Sequence, residues 1–136
     1  MDPRELLERH TAEVWNEGNL EKVDRYIAPE YVEHDPSVKE TVDGPAAYRR
    51  NVELFRSAFP DLSVTILDVV VEGDKIAMRQ RWEGTHEGEF LGVEPTGNHV
   101  EGSSYVFCRI EGEQIAETWV ESDMLPVLEQ LGVEVP

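Results

Sequence analysis

Apolar and polar positions change period once along this chain, which divides it into a helical first part and a β-rich second part. Leu6, Leu7, His10, Val14 and Trp15 recur at three- and four-residue steps and form one helical stripe. Asp2-Pro3 with Glu5 supplies a cap, a first-turn proline and a capping-box acid, and Gly18 supplies a stop, so a helix is predicted over 3–16. Asn19 opens a second short helix with Leu20, Val23, Tyr26 and Ile27 inward, ended at Ala28-Pro29. Residues 31–36, YVEHDP, read as a short extended piece and a turn that brings His34 near Asp35. Asp43-Gly44-Pro45 announces a third helix to Ala58, with Tyr48, Val52, Phe55 and Phe59 on one face.

From Leu62 onward the period is two. Residues 62–72 and 75–84 form a hairpin about Gly73-Asp74, and 85–102 read as a long polar loop. Residues 101–111 and 114–123 are two further strands joined at Gly112. A loop of that length inside a small domain points to function. A helical turn or two over 124–131 ends at Gly132. Helices first and a meander afterwards predict one α+β domain over 1–136, with helices covering one face of a curved antiparallel sheet.

The last strand, QIAETWVESD, puts Ile115, Glu117, Trp119, Glu121 and Asp123 on one face and Ala116, Thr118, Val120 and Ser122 on the other. Trp119 carries the largest apolar area and is expected to take the buried face, drawing Glu117 inward with it. A buried carboxylate needs a cation, a wet cavity or a raised pKa, and Arg79 or Arg81 on a neighbouring strand is the expected partner of Glu117. Asp123, about 20 Å from Glu117 along the strand, would stand at the rim.

Charge narrows the partners. The formal net charge is −17, from 29 acidic against 12 basic residues spread along the whole chain, so nucleic acid and anionic membranes are not expected partners. No apolar run approaches the roughly 20 residues of a membrane span and no signal-peptide pattern leads the chain, which reads as cytoplasmic. The acidic shell suggests a halophilic origin. Cys108 is the one cysteine and reads as a small core residue, with no zinc-type ligand spacing along the chain.

A set of short motifs, in order, resembles the SnoaL-like polyketide cyclases, the ester-cyclase branch of the nuclear-transport-factor-two-like superfamily. They are His34-Asp35-Pro36, Phe59-Pro60-Asp61-Leu62, Glu72-Gly73-Asp74-Lys75, Gly84-Thr85-His86-Glu87-Gly88, Pro95-Thr96-Gly97, and Glu117-Thr118-Trp119 with Asp123. The resemblance implies a cone-shaped cystatin-like fold open to a small hydrophobic ligand, a homodimer, and no metal or organic cofactor. It also implies that Asp123, at the end of the last strand, is the general acid/base of an aldol closure.

The chemistry needs a base for a proton alpha to a carbonyl and a donor for the enolate oxygen. Asp123 is the candidate base, His34 and His86 are candidate donors or relays, and Trp119 and Tyr105 are candidate flat walls. Each has a structural counterpart: Asp123 as a helix cap, His34 as a turn residue, His86 as a solvated loop residue and Glu117 as half of an ion pair. His10 and His99 read as structural. The competing functions are epoxide hydrolysis, which lacks a second inward aspartate, and a ligand-binding or dimerisation module without turnover.

Overall fold

The computed structural model describes residues 1–37 and 41–134. Helix α1 (Pro3–His10) begins as expected, with the Asp2 carboxylate accepting from the Glu5 N–H at 2.8 Å. It then widens into a π-helical segment, Thr11–Asn16, instead of running on as α-helix. Arg56 holds the end of that segment by donating to the carbonyls of Trp15 and Asn16. Asn16 in turn exchanges two hydrogen bonds with the backbone of Val64, which fastens the helix to the sheet.

The second helix is shorter than its pattern suggests, a 3-10 turn (Leu20–Lys22) followed by α2 (Val23–Tyr26). The chain is already extended by Ile27, so β1 spans Ile27–His34, and a two-residue strand β2 (Val42–Asp43) follows. Helix α3 (Gly44–Ala58) buries Tyr48 and Val52 as its stripe predicts. The meander is β3 (Ser63–Glu72), β4 (Lys75–Thr85), β5 (His99–Glu111) and β6 (Gln114–Ser122), closed by α4 (Met124–Gln130).

These strands make one curled, unclosed sheet in the order β2-β1-β6-β5-β4-β3. It is not wholly antiparallel, because β1 lies parallel to β6. The helices lie across its concave side, where Leu7, Val14, Tyr26, Tyr31 and Val52 meet Ile76, Cys108 and Ile115 in the main core. Cys108 is buried, as expected. Among the described residues no helix is long and apolar enough to cross a membrane.

The expected loop is shorter, since β4 runs to Thr85 and β5 starts at His99. What remains is folded rather than free. Gly97 N–H donates to the His86 carbonyl at 2.8 Å, and Glu87 N–H donates to Ala58 O at 2.9 Å. Gly88 passes so close to α3 that a Cβ there would clash with the Ser57 carbonyl oxygen.

One bulge reverses the expected faces of β6. Arg109 pairs with Glu117 but Ile110 pairs with Ile115, so Ala116 is the extra residue and the alternation restarts beyond it. Thr118 is buried and Trp119 is 38% exposed, on the outer face. The area argument for an inward Trp119 fails because that face already has its large groups from the helices and from β4.

Candidate functional site

A cavity of about 130 Å³ lies between the concave face of the sheet and the α1–π segment and α3. The sheet contributes alternate residues of each strand: Tyr31 and Glu33 from β1, Met78, Gln80 and Trp82 from β4, Ser104 and Val106 from β5, and Thr118, Val120 and Ser122 from β6. The helices contribute His10, Trp15, Tyr48, Asn51 and Phe55, and Asp35 stands just past the end of β1.

Burial raises the Tyr31 and Tyr48 hydroxyls and the Cys108 thiol that line the cavity, and it also shifts two groups able to exchange protons nearer neutral pH, Glu33 and His10. Burial pushes the Glu33 carboxyl up from its ordinary value; the Tyr31 hydroxyl, donating at 2.8 Å, pulls the other way, and the Asp35 charge adds a smaller upward push. Burial lowers His10 to about 4, so its imidazole is neutral at pH 7. Trp15 Nε1 donates to the Tyr48 hydroxyl at 2.8 Å, and that hydroxyl lies 2.8 Å from His10 Nε2. The Tyr48 hydroxyl thus sits between the Trp15 N–H and the neutral His10 ring, donating to or accepting from Nε2 according to the ring's tautomer.

Most of the residues singled out from sequence lie elsewhere. His34 is on the outer face, its Nε2 2.7 Å from Glu117 Oε2 and its ring stacked on Trp119 at 5.3 Å. Glu117 takes Arg109 as its guanidinium partner, at 3.4 Å, and its bond to His34 is the main reason its carboxyl titrates below the ordinary value. Arg79, one expected partner, pairs instead with Asp68 at 2.6 Å, and Arg81, the other, is exposed on the same outer face. Tyr105 is 67% exposed there. Neither Tyr105 nor Trp119 walls the cavity; Trp15, Phe55 and Trp82 do.

His86 is completely buried, but among Phe59 and its neighbours in a smaller second core, outside the cavity lining. Its Nδ1 accepts from the Thr96 N–H at 3.1 Å, so the proton sits on Nε2, which has no partner among the described residues. Asp123 is exposed. It occupies the cap position of α4 without a side-chain capping bond, and its N–H donates to Ser103 O at 3.1 Å. Its neighbour Ser122 lines the cavity. The three residues do not converge.

The acids that do face the cavity, Glu33 and Asp35, flank His34 in sequence. Strand alternation across 31–35 carried that signal: with Tyr31 inward, Glu33 and Asp35 follow on its face.

Several of the resembling motifs have structural jobs. Asp61 accepts from the Thr85 N–H at 2.6 Å and from its hydroxyl at 2.8 Å, joining Phe59-Pro60-Asp61 to Gly84-Thr85. His86 with Thr96-Gly97 closes the loop.

Comparison with known proteins agrees with this architecture. The model of the SnoaL-like polyketide cyclases matches residues 5–131. An aklanonic acid methyl ester cyclase, DauD of Streptomyces sp. (strain C5), is 26% identical over all of this chain and 86% of its own length. A candidate polyketide cyclase from Acidithiobacillus ferrooxidans superposes with a TM-score of 0.85 at 34% identity, over 97% of this chain and 98% of that one. AclR of Streptomyces galilaeus, a candidate hydroxylase, superposes at 0.84 with 30% identity, over 98% of this chain and 83% of its own. With the family model covering nearly the whole length and the cone around its cavity in place, the chain belongs to the SnoaL-like polyketide cyclase family.

Proposed function

We propose that this protein catalyses a proton-transfer reaction without a cofactor, an aldol cyclisation or isomerisation of a small hydrophobic carbonyl compound, with Glu33 as the acid/base group. The observation that carries this reading is a carboxyl group made more basic by burial, inside a cavity walled by aromatic rings. Glu33 takes the proton alpha to one carbonyl. The resulting enolate attacks a second carbonyl of the same molecule, and the new alkoxide takes a proton back, so nothing is consumed. Asn51 and Gln80 bring amide N–H donors for the enolate oxygen. Tyr48, held in place by Trp15 and His10, orients the substrate through its hydroxyl.

At about 130 Å³ the cavity is below the roughly 300–1,000 Å³ of a pocket that swallows a drug-sized ligand. A polycyclic ester would therefore place only its reacting end inside, with the remainder outside the cavity. The same small volume favours the second reading, a ligand-binding or dimerisation module without turnover.

Asp123 is the other candidate base, supported by its uncapped carboxylate beside Ser122. The test is turnover of a methyl ester of the aklanonic acid type by the wild type, Glu33→Gln and Asp123→Asn. Loss of a hundredfold or more in kcat on Glu33→Gln alone supports the reading. Loss confined to Asp123→Asn moves the base to the rim, and binding without turnover by the wild type favours the module.

The partner for the outer face is a second copy of the chain. Tyr105, Phe107 and Trp119 stand exposed there with Val70, among Arg79, Arg109, Asp68 and Glu121. Both charge signs on one patch suit a twofold contact, in which each copy's arginines meet the other's acids. A Tyr105→Glu variant that elutes at half the wild-type mass supports the dimer; an unchanged monomeric mass for both removes it.

A further inference from the structure

We propose that Glu83, His99 and Glu101 form a binding site for a divalent first-row transition metal of the Zn²⁺ class on the outer face of the sheet, away from the cavity. No spacing along the chain suggests this, because Glu83 lies on β4 and the other two on β5. Register brings them together. Glu83 pairs directly with Glu101, and Thr85 with His99, so all three side chains leave the same face of one antiparallel ladder. His99 Nε2 stands 3.8 Å from Glu83 Oε2 and 3.5 Å from Glu101 Oε1, and the three donor atoms lie within 4.8 Å of one another. Donors about 2.0–2.2 Å from a tetrahedral ion are about 3.3–3.6 Å apart, so small rotamer adjustments would bring all three donors onto one ion.

Charge argues in the same direction. Two glutamates directly opposite on neighbouring strands repel each other, and among the described residues no lysine or arginine lies within ion-pair distance of either. A divalent ion would remove that repulsion. The imidazole makes the site selective for a borderline transition metal over Mg²⁺ or Ca²⁺, which prefer oxygen alone. Solvent on the open side supplies the remaining ligands.

The backbone beneath the three donors is fixed. Gln130 of α4 accepts from the Glu101 N–H at 2.7 Å and donates to its carbonyl at 2.9 Å, and Asn98 donates to the Gln130 carbonyl at 3.0 Å. Asp61 clasps Thr85, the cross-strand partner of His99. A site on held strands loses little entropy on binding. The ion would also tie together the two ends of the loop over 86–98. Glu101 is four residues from Tyr105 along β5, about 13 Å, so the site lies beside the aromatic patch and not in its centre.

The experiment is calorimetric titration of the full chain with Zn²⁺, with millimolar Mg²⁺ present throughout to occupy weak sites on the acidic surface. One Zn²⁺ per chain is expected, weakened tenfold or more by His99→Ala and by Glu101→Gln in variants whose circular dichroism matches the wild type. Co²⁺ in place of Zn²⁺ should give visible ligand-field bands that are lost with His99. Equal Zn²⁺ affinity in wild type and His99→Ala, or no heat above the Mg²⁺ background, overturns the proposal.

Discussion

The Tyr31 hydroxyl donates to the Glu33 carboxylate at 2.8 Å, so two residues on one face of β1 bring an acid and its partner into the cavity together. The bond does not fully offset the cost of burying the charge, and the carboxyl stays above its ordinary value. A carboxyl raised in the folded state binds its proton more tightly there than in the unfolded chain. Its contribution to stability is therefore fully present below the unfolded pKa and is lost as pH rises through the folded one. Glu33→Gln should raise the melting temperature near neutral pH more than near pH 4. Melting curves of both proteins across that range check it.

His10 has the opposite shift and the opposite sign in acid. Burial holds its folded pKa at about 4, so acidification below the unfolded value, roughly 6.5, favours the unfolded chain. Complete protonation would cost on the order of 3 kcal/mol. His10→Gln keeps a hydrogen-bonding partner for Tyr48 and removes the titration. The difference in stability between wild type and variant should therefore change between pH 6.5 and 4 and be flat above.

The Asp61 clasp predicts a structural phenotype for a residue inside a family motif. Hydrogen bonds from Thr85 hold its carboxyl below the ordinary value, so its contribution is present above the unfolded pKa and is lost as pH falls through the folded one. Asp61→Asn should lower stability at pH 7 by about 1 kcal/mol, discounted for its exposure, with kcat unchanged. Chemical denaturation alongside turnover checks both halves.

A net charge of −17 on 136 residues predicts a salt response. Screening of self-repulsion should raise the melting temperature from low to molar KCl. A flat or falling curve would remove the halophilic reading.

Much of the architecture was legible along the chain because it rests on local rules. The Asp2 cap, the apolar stripe of α3, the turns at Gly73 and Gly112 and the switch from period 3.6 to period 2 each act within a few residues. The family motifs were legible too, and several turn out to be clasps for the loop and for β4. Glu33 and Asp35 could have been found by the same alternation rule that was applied to β6.

The chain by itself determined most of the helical and strand segments, the α+β class and the excess of acidic residues. Tertiary structure decided which face of each strand looks into the cone. One extra residue at Ala116, accommodated by a bulge, turned every later side chain of β6 over, so Trp119 went outward onto His34 and Thr118 went in. A bulge leaves no trace in a pattern of period two until the partner strand is known. The parallel pairing of β1 with β6 and the meeting of Glu83, His99 and Glu101 are likewise matters of register between strands. Register is fixed by contacts across the sheet, and those contacts exist only once the whole chain has folded.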